Sequence, residues 1–184
     1  MKIGVIGLCS FTMDFANKAA KVGHQVLLSS TRENRQFKDL AATMGEHVKL
    51  VSKNEAVEAD IVLLFIPRED VGLFMKDLPD MSDKILLQAS NPIFSLECLR
   101  PNSKSSSEMI ASLLPEAHVV KVLTITNPNV LSLLSQRPKG NEIFFTGTDR
   151  EAKNKVKTFF KSLNLAGVDF EDFCLPPRTA YSMN

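Results

Sequence analysis

Two short stretches near the N-terminus combine residue types that can bind phosphate. The first, Gly7-Leu8-Cys9-Ser10-Phe11-Thr12, follows the apolar run KIGVI and opens an amphipathic segment. The dinucleotide-binding fingerprint has glycine at the first, third and sixth positions of such a turn. Gly7 fulfils the first position, whereas Cys9 and Thr12 occupy the other two. Because a helix N-terminus offers unpaired N–H groups to an anion, the stretch predicts a phosphate turn with an altered glycine pattern.

The two replacements predict opposing effects on phosphate binding. The Cβ of Cys9 narrows the space for a pyrophosphate by about one carbon, and Thr12 is expected to push the helix away from the strand. The hydroxyl groups of Ser10 and Thr12 are expected to compensate by donating to phosphate directly. The alternative interpretation is a purely structural turn that binds nothing.

The second stretch is Ser29-Ser30-Thr31-Arg32-Glu33-Asn34-Arg35, and it begins 22 positions after Gly7. An NAD-selective site has an Asp or Glu at the end of this strand to bind the ribose 2′-hydroxyl. Serine stands at the end of the strand here, followed by Thr31, Arg32 and Arg35. Arginine and hydroxyl groups can hold a 2′-phosphate, so the stretch predicts NADP selectivity. A solvated arginine-bearing loop is the alternative.

The elements that must position these turns alternate regularly along the chain. Short apolar runs predict strands at Lys2–Gly7, Gln25–Ser29, Val48–Val51, Ile61–Ile66, Lys84–Gln88, Val119–Leu123, Glu142–Thr146 and Ala166–Asp169. Amphipathic segments predict helices at Phe11–Val22, Asn34–Met44, Lys53–Ala59, Glu69–Leu78, Ser105–Leu114 and Asp149–Leu163. The alternation predicts an α/β fold: a doubly wound, mostly parallel sheet with helices on both faces. Loops are expected at Ser90–Lys104 and Thr126–Gly140.

Length and composition limit the remaining possibilities. The 184 residues predict one dinucleotide-binding domain over residues 1–173 and a surface tail over 174–184. A net charge of +1 gives no broad attraction to nucleic acid, and the longest apolar run is too short to span a membrane. The three cysteines and three scattered histidines form neither a disulfide framework nor a metal-ligand pattern. We therefore expect a cytoplasmic protein without a metal.

Several segments together resemble the NADP reductases that depend on the deazaflavin coenzyme F420. The segments are MKIGVIG with GHQVLLSSTR, ADIVLLFIP, ILLQASNP, SLLPEAHVVKVLTI, and EIFFTGTDREAKNKVKTFFKSLNLAGVDF. The resemblance runs from Met1 to about Asp172, and it rests on the order and spacing of the segments. The chain departs from the family in its glycine loop, which family members usually keep intact.

The resemblance implies an NADP(H) cofactor on a Rossmann-like fold, with hydride transfer to a deazaflavin, a flavin or another small redox acceptor. It places Gly7, Leu8, Cys9, Ser10, Phe11 and Thr12 under the pyrophosphate, and Ser30, Thr31, Arg32 and Arg35 around the 2′-phosphate. Ile66 and Pro67 would flank the adenosine, Ala89 and Asn91 would lie near the nicotinamide, and Leu123 to Thr126 would line the second-substrate pocket. It leaves a homodimer open.

No side chains in the sequence form a catalytic triad, a carboxylate pair or a Cys–His pair, so no catalytic residue is assigned. Hydride transfer needs none in the hydride step, because the cofactor carries that chemistry. The alternative function is a catalytically inactive dinucleotide-binding or redox-sensing module with a degenerate glycine loop. An imine reductase is a third hypothesis, but that class adds a helical domain for which we expect no room.

Overall fold

The eight predicted strands form one sheet. In the computed structural model, which describes residues 1–30, 39, 41–90, 106–123 and 141–170, the strand order is β3-β2-β1-β4-β5-β6-β7-β8. The strands are β1 (Lys2–Ile6), β2 (Gln25–Ser29), β3 (Val48–Leu50), β4 (Ile61–Leu64), β5 (Ile85–Ser90), β6 (His118–Leu123), β7 (Glu142–Gly147) and β8 (Ala166–Asp169). The predicted sheet is confirmed, although β1 and β4 end before the apolar runs that predicted them.

Strands β1 to β6 are all parallel, and β7 reverses the direction. β7 pairs antiparallel with β6, and β8 pairs parallel with β7. The first six strands follow the doubly wound order in which each crossover helix returns the chain to the same end of the sheet. The carboxyl ends of β1, β2, β4, β5 and β6 therefore lie together at one end, which we call the carboxyl end of the sheet.

Helices cover both faces of the sheet. In the described residues they are α1 (Ser10–Lys21), α2 (Lys53–Val57), α3 (Arg68–Lys76), α4 (Ser106–Leu113) and α5 (Arg150–Ser162). Residues 41–43 are also helical, within the predicted helix Asn34–Met44. α1 and α5 share one apolar core with one sheet face, and α2, α3 and α4 share a second core with the other. This arrangement confirms a mostly parallel sheet between two helical layers.

Aromatic rings join α1 to α5. The ring of Phe15 lies edge-on to those of Phe159 and Phe160, with centroids 5.5 and 6.0 Å apart. All three side chains are buried. Such edge-to-face pairs stabilise a core beyond the area that they bury. The helix that follows the Gly7 turn is therefore packed against α5, the last helix of the described residues.

None of the helices in the described ranges is long and apolar enough to cross a bilayer. The predicted loops at Ser90–Lys104 and Thr126–Gly140 and the tail 174–184 fall almost entirely outside the described residues.

His24, which follows α1, adds a polar contact with the end of α5. Its Nε2 lies 2.9 Å from the Ser162 hydroxyl, and its ring lies 5.6 Å from that of Phe159. Partial burial, and to a lesser extent the positive N-terminus, lowers the pKa of His24 below its ordinary value. The folded state therefore favours the neutral imidazole, and the unfolded chain binds the proton more tightly.

This difference predicts a pH-dependent contribution to stability. The stabilisation is complete above about pH 6.5, the ordinary value, and is lost as the pH falls toward the lowered pKa of the folded state. The free energy of unfolding of the wild type, measured in urea, should fall relative to that of His24→Gln as the pH drops from about 7.5 to about 5.5. Parallel pH profiles for the two proteins would contradict the expected linkage.

Candidate functional site

Most of the predicted site residues in the described chain meet at the carboxyl end of the sheet. Ile6, the last residue of β1, stands in register with Ser29 of β2 and with Leu64 of β4. Ser90 of β5 stands in register with Leu123 of β6. The sheet thus brings together Gly7 to Thr12, Ser30, Ile66, Pro67 and Ala89. Thr31, Arg32, Arg35, Asn91 and Thr126 lie outside the described residues.

Gly7 forms a tight turn directly after β1, where the backbone lies between the ends of β2 and β4. Its φ of +83° lies in the left-handed region, which side chains rarely adopt. Its N–H donates to the Ser29 carbonyl at 3.1 Å, while the Phe65 N–H donates to the Ile6 carbonyl at 2.8 Å. A Cβ on Gly7 would collide with the Phe65 carbonyl oxygen. Glycine is therefore required here both by backbone conformation and by space.

Cys9 stands at the second glycine position without backbone strain. Its φ of −143° and ψ of 175° are extended, so this position does not need glycine for its conformation. Cys9 is the N-cap of α1, and its side chain is partly exposed. Its Sγ lies 3.6 Å from the Thr12 hydroxyl, so the side chain contacts the first turn of α1 as well as occupying space beside the turn.

Thr12, at the third glycine position, is used differently from the prediction. Its side chain is fully buried, and its hydroxyl oxygen accepts a hydrogen bond from the Cys9 N–H at 2.8 Å. The hydroxyl donates to the Gly7 carbonyl at 3.0 Å and is also 3.1 Å from the Cys9 carbonyl. The hydroxyl is thus committed to the backbone of the turn, and it ties the start of α1 to the end of β1 where we expected the helix to be pushed away.

Charge at the helix N-termini that follow the neighbouring strands β1 and β4 favours α1 as a phosphate position. The first turn of α1 carries no acidic residue, and Ser10 is exposed there. The first turn of α3, which follows β4, carries Glu69 and Asp70. Carboxylates repel an anion and already interact with the positive end of the helix dipole. The electrostatics therefore favour an anion at α1.

The remaining predicted site residues, on β2, β4 and β5 and directly after them, differ in their solvent exposure. Ile66 is buried and Pro67 is exposed at the start of α3. Ala89 is buried on β5 and stands in register with Val122 of β6. Ser30 is partly exposed directly after Ser29, whose carbonyl accepts from Gly7. Ser30 therefore lies beside the Gly7 turn, at the side of β2.

Two residues that the sequence analysis did not single out lie close to this end of the sheet. Gln88 of β5 is only 3% exposed, and its Oε1 has no hydrogen-bond partner among the described residues. It stands in register with Lys121 of β6. A polar residue inside the apolar run ILLQA was a visible signal in the sequence, but its environment depends on which strands flank β5.

In the described ranges, no three His, Cys, Asp or Glu side chains group as metal ligands.

Comparison with protein families gives one match at this site. Residues 2–92 match the family of NADP oxidoreductases described as coenzyme F420-dependent. The match spans β1 to β5 and includes both stretches that the sequence predicts to bind phosphate. It confirms the resemblance seen in the sequence. Among curated proteins, no match to the chain is found.

Several solved structures resemble most of this chain. A candidate F420-dependent NADP reductase from Arthrobacter sp. FB24 is 25% identical, with a TM-score of 0.68 over 92% of this chain and 84% of that one. A hypothetical protein from Sinorhizobium meliloti is 24% identical, with a TM-score of 0.72 over the same shares. An imine reductase from Pseudomonas sp. is 12% identical, with a TM-score of 0.62. This chain spans only 54% of that enzyme's length, so the likeness concerns the fold alone.

Proposed function

From the family match over residues 2–92, we propose that the protein is an NADP(H)-dependent oxidoreductase whose cofactor lies along the carboxyl end of the sheet. The observation that carries the proposal is the turn at Gly7, where the backbone of β1 passes close to β2 and β4 before an acid-free helix N-terminus. In this proposal residues 1–173 form a single dinucleotide-binding domain.

The pyrophosphate is assigned to the start of α1. The backbone N–H groups of Leu8, Ser10 and Phe11 and the exposed hydroxyl of Ser10 supply hydrogen-bond donors, and the helix dipole adds a favourable field. Thr12 stabilises the turn from its buried side, because its hydroxyl is already hydrogen-bonded to the Cys9 N–H and the Gly7 carbonyl. Cys9 borders the same space, and its side chain limits how closely a phosphate approaches.

The 2′-phosphate is assigned to the end of β2. Ser30 lies beside the Gly7 turn, and the sequence that follows provides Thr31, Arg32 and Arg35. Serine rather than a carboxylate ends the strand, so no negative charge at that position repels the phosphate. This combination supports NADP over NAD.

The residues proposed to lie beside the adenosine and the nicotinamide would bind and orient the cofactor and would not transfer protons. When bound, NADPH would supply the hydride. Buried Ile66, with Pro67, would flank the adenosine side, while Ala89 and Asn91 would lie near the nicotinamide. Apolar walls exclude water, which protects a hydride donor from side reactions.

The second substrate is proposed to be a deazaflavin, a flavin or another small redox acceptor. A homodimer and a cytoplasmic location belong to the same proposal.

The alternative is a module that binds a dinucleotide without catalysis. The partly exposed Cys9 favours it, because a side chain at this position narrows the pyrophosphate space. Binding and turnover must therefore be measured separately.

A fluorescence titration tests the proposal. The chain has no tryptophan, so the emission of NADPH and NADH can be followed against a low protein background. Saturable binding of NADPH, tighter than that of NADH, is expected. No saturable NADPH signal would overturn the enzyme proposal. NADPH oxidation with deazaflavin, flavin and ferric chelates then distinguishes a reductase from an inactive binding module.

Arg32→Ala tests the 2′-phosphate assignment. We expect its NADPH affinity to fall about tenfold, since a charge-assisted contact to phosphate is lost. NADH affinity should stay unchanged. Arg150→Ala is the matched control, because Arg150 is exposed and begins α5 at the opposite end of the sheet. An unchanged ratio of NADPH to NADH affinity in Arg32→Ala would refute the assignment.

A further inference from the structure

Arg68 begins α3 on the side of that helix that faces the sheet. Arg68, Val71 and Met75 stand at positions i, i+3 and i+7, which share one side of a helix. Val71 and Met75 are buried in the core that α3 forms with the sheet. Because Arg68 lies on the same side about one turn earlier, it places a cation at the end of an apolar row.

The first turn of α3 lies at the carboxyl end of the sheet, close to the Gly7 turn. The Phe65 N–H donates to the Ile6 carbonyl at 2.8 Å, and the Phe65 carbonyl lies directly beside Gly7. Arg68 follows Phe65 by three residues, which span at most about 11 Å. Side chains on a helix lean toward its N-terminus, so the stem of Arg68 leads away from the core toward the carboxyl end of the sheet.

The guanidinium of Arg68 has no counter-charge in the part of the chain that the structure describes. Arg68 is half-buried, yet none of the ion pairs between described residues includes it. The carboxylates of Glu69 and Asp70 belong to the same turn, but both residues are exposed. An arginine that is partly withdrawn from water usually has a partner, so this cation is available to a ligand at the carboxyl end of the sheet.

The surroundings of Arg68 suit a flat, uncharged ring better than a phosphate. Glu69 and Asp70 lower the positive potential at the start of α3, which disfavours an anion there. Ile66 and Pro67, directly before Arg68, provide apolar surface. A guanidinium plane stacks well on the face of an aromatic ring.

We propose that Arg68 is a further cofactor-contacting residue, whose guanidinium stacks on the adenine ring of NADP(H). The inference rests on the proposed function, in which the adenosine lies beside Ile66 and Pro67. Adenine is common to NADPH and NADH, so Arg68 contributes equally to the affinity for both. In this respect it differs from Arg32, which is assigned to the 2′-phosphate and selects between them.

Titrations of Arg68→Met and Arg68→Lys test the stacking. The ligands are NADPH and NADH, followed by fluorescence, and adenosine 2′,5′-bisphosphate, followed by calorimetry. Arg68→Met keeps an apolar stem and should bind all three about tenfold more weakly, with an unchanged ratio of NADPH to NADH affinity. Arg68→Lys keeps the charge but lacks the planar group, so its losses should be as large.

Lys76→Met is the matched control, because Lys76 is exposed at the opposite end of α3. Its affinities should equal those of the wild type. Wild-type affinities in Arg68→Met would overturn the inference, and full affinity in Arg68→Lys would replace stacking with a simple charge contact. Circular dichroism checks the fold of each variant, and Arg68→Gln replaces Arg68→Met if that variant is unfolded.

The same titrations separate this inference from the proposed function. If the wild type binds NADPH saturably and Arg68→Met binds it equally well, only the role of Arg68 is wrong. If the wild type binds neither NADPH nor adenosine 2′,5′-bisphosphate, the proposed function fails and the role of Arg68 fails with it.

Discussion

Gly7→Ala is expected to lower the free energy of unfolding by about 3 kcal/mol or more, because two costs add at one position. The backbone φ of +83° disfavours any side chain, and the new methyl group would collide with the Phe65 carbonyl oxygen of the neighbouring strand. Neither β1 nor β4 can yield easily, because both are buried between two helical layers. Urea unfolding followed by far-UV circular dichroism measures the effect.

Gly23→Ala separates the two costs. Gly23 has nearly the same φ, +84°, but a Cβ there meets no atom within 4 Å. It should cost only about 1 kcal/mol, which is the conformational part alone. Equal losses for the two variants would show that the contact with Phe65 is unimportant. In the folded fraction of Gly7→Ala, NADPH binding should also be weaker, because the turn must move away from its position beside β4.

Thr12→Val is expected to lower the free energy of unfolding by about 2 kcal/mol, although it preserves the shape of the side chain. The substitution removes the hydroxyl that accepts from the Cys9 N–H and donates to the Gly7 carbonyl. Both backbone groups lose a partner at a position where water cannot replace the hydroxyl, since Thr12 is fully buried. The same urea experiment measures the loss.

Thr12→Ser provides the comparison, because it retains the hydroxyl and removes only a methyl group. It should be about 1 kcal/mol less stable than the wild type, from the lost apolar contact. If Thr12→Val were as stable as Thr12→Ser, the hydrogen bonds of the hydroxyl would contribute little to the turn. The comparison of Thr12→Val with Thr12→Ser also tests our conclusion that the Thr12 hydroxyl stabilises the turn from its buried side.

The sheet could be predicted from the sequence because its strands are short apolar runs separated by clear helical periodicity. Ile61–Leu64, for example, is buried along its whole length, as expected for a central parallel strand. The reversed direction of β7 had no such signal. Strand direction depends on where the preceding connection leaves the chain, and Glu142–Gly147 carries no residue pattern that distinguishes the two directions.

The site was only partly predictable. The position of Gly7 followed from the fingerprint, because a left-handed turn selects glycine directly. The role of Thr12 did not, because the choice between a phosphate and the backbone depends on the burial of the hydroxyl. Gln88 and Lys121 lie far apart in sequence, and only the register of β5 with β6 places them side by side.

The aromatic contacts between α1 and α5 bear on how the protein can be divided. The residues that match the family end at residue 92, yet the helix that follows the Gly7 turn packs its Phe15 against Phe159 and Phe160. A fragment cut after residue 92 would expose Phe15 and leave β5 without its neighbour β6. We therefore expect residues 1–92 to be unstable as a separate fragment, and we expect the position of the Gly7 turn to depend on the packing of α1 against α5.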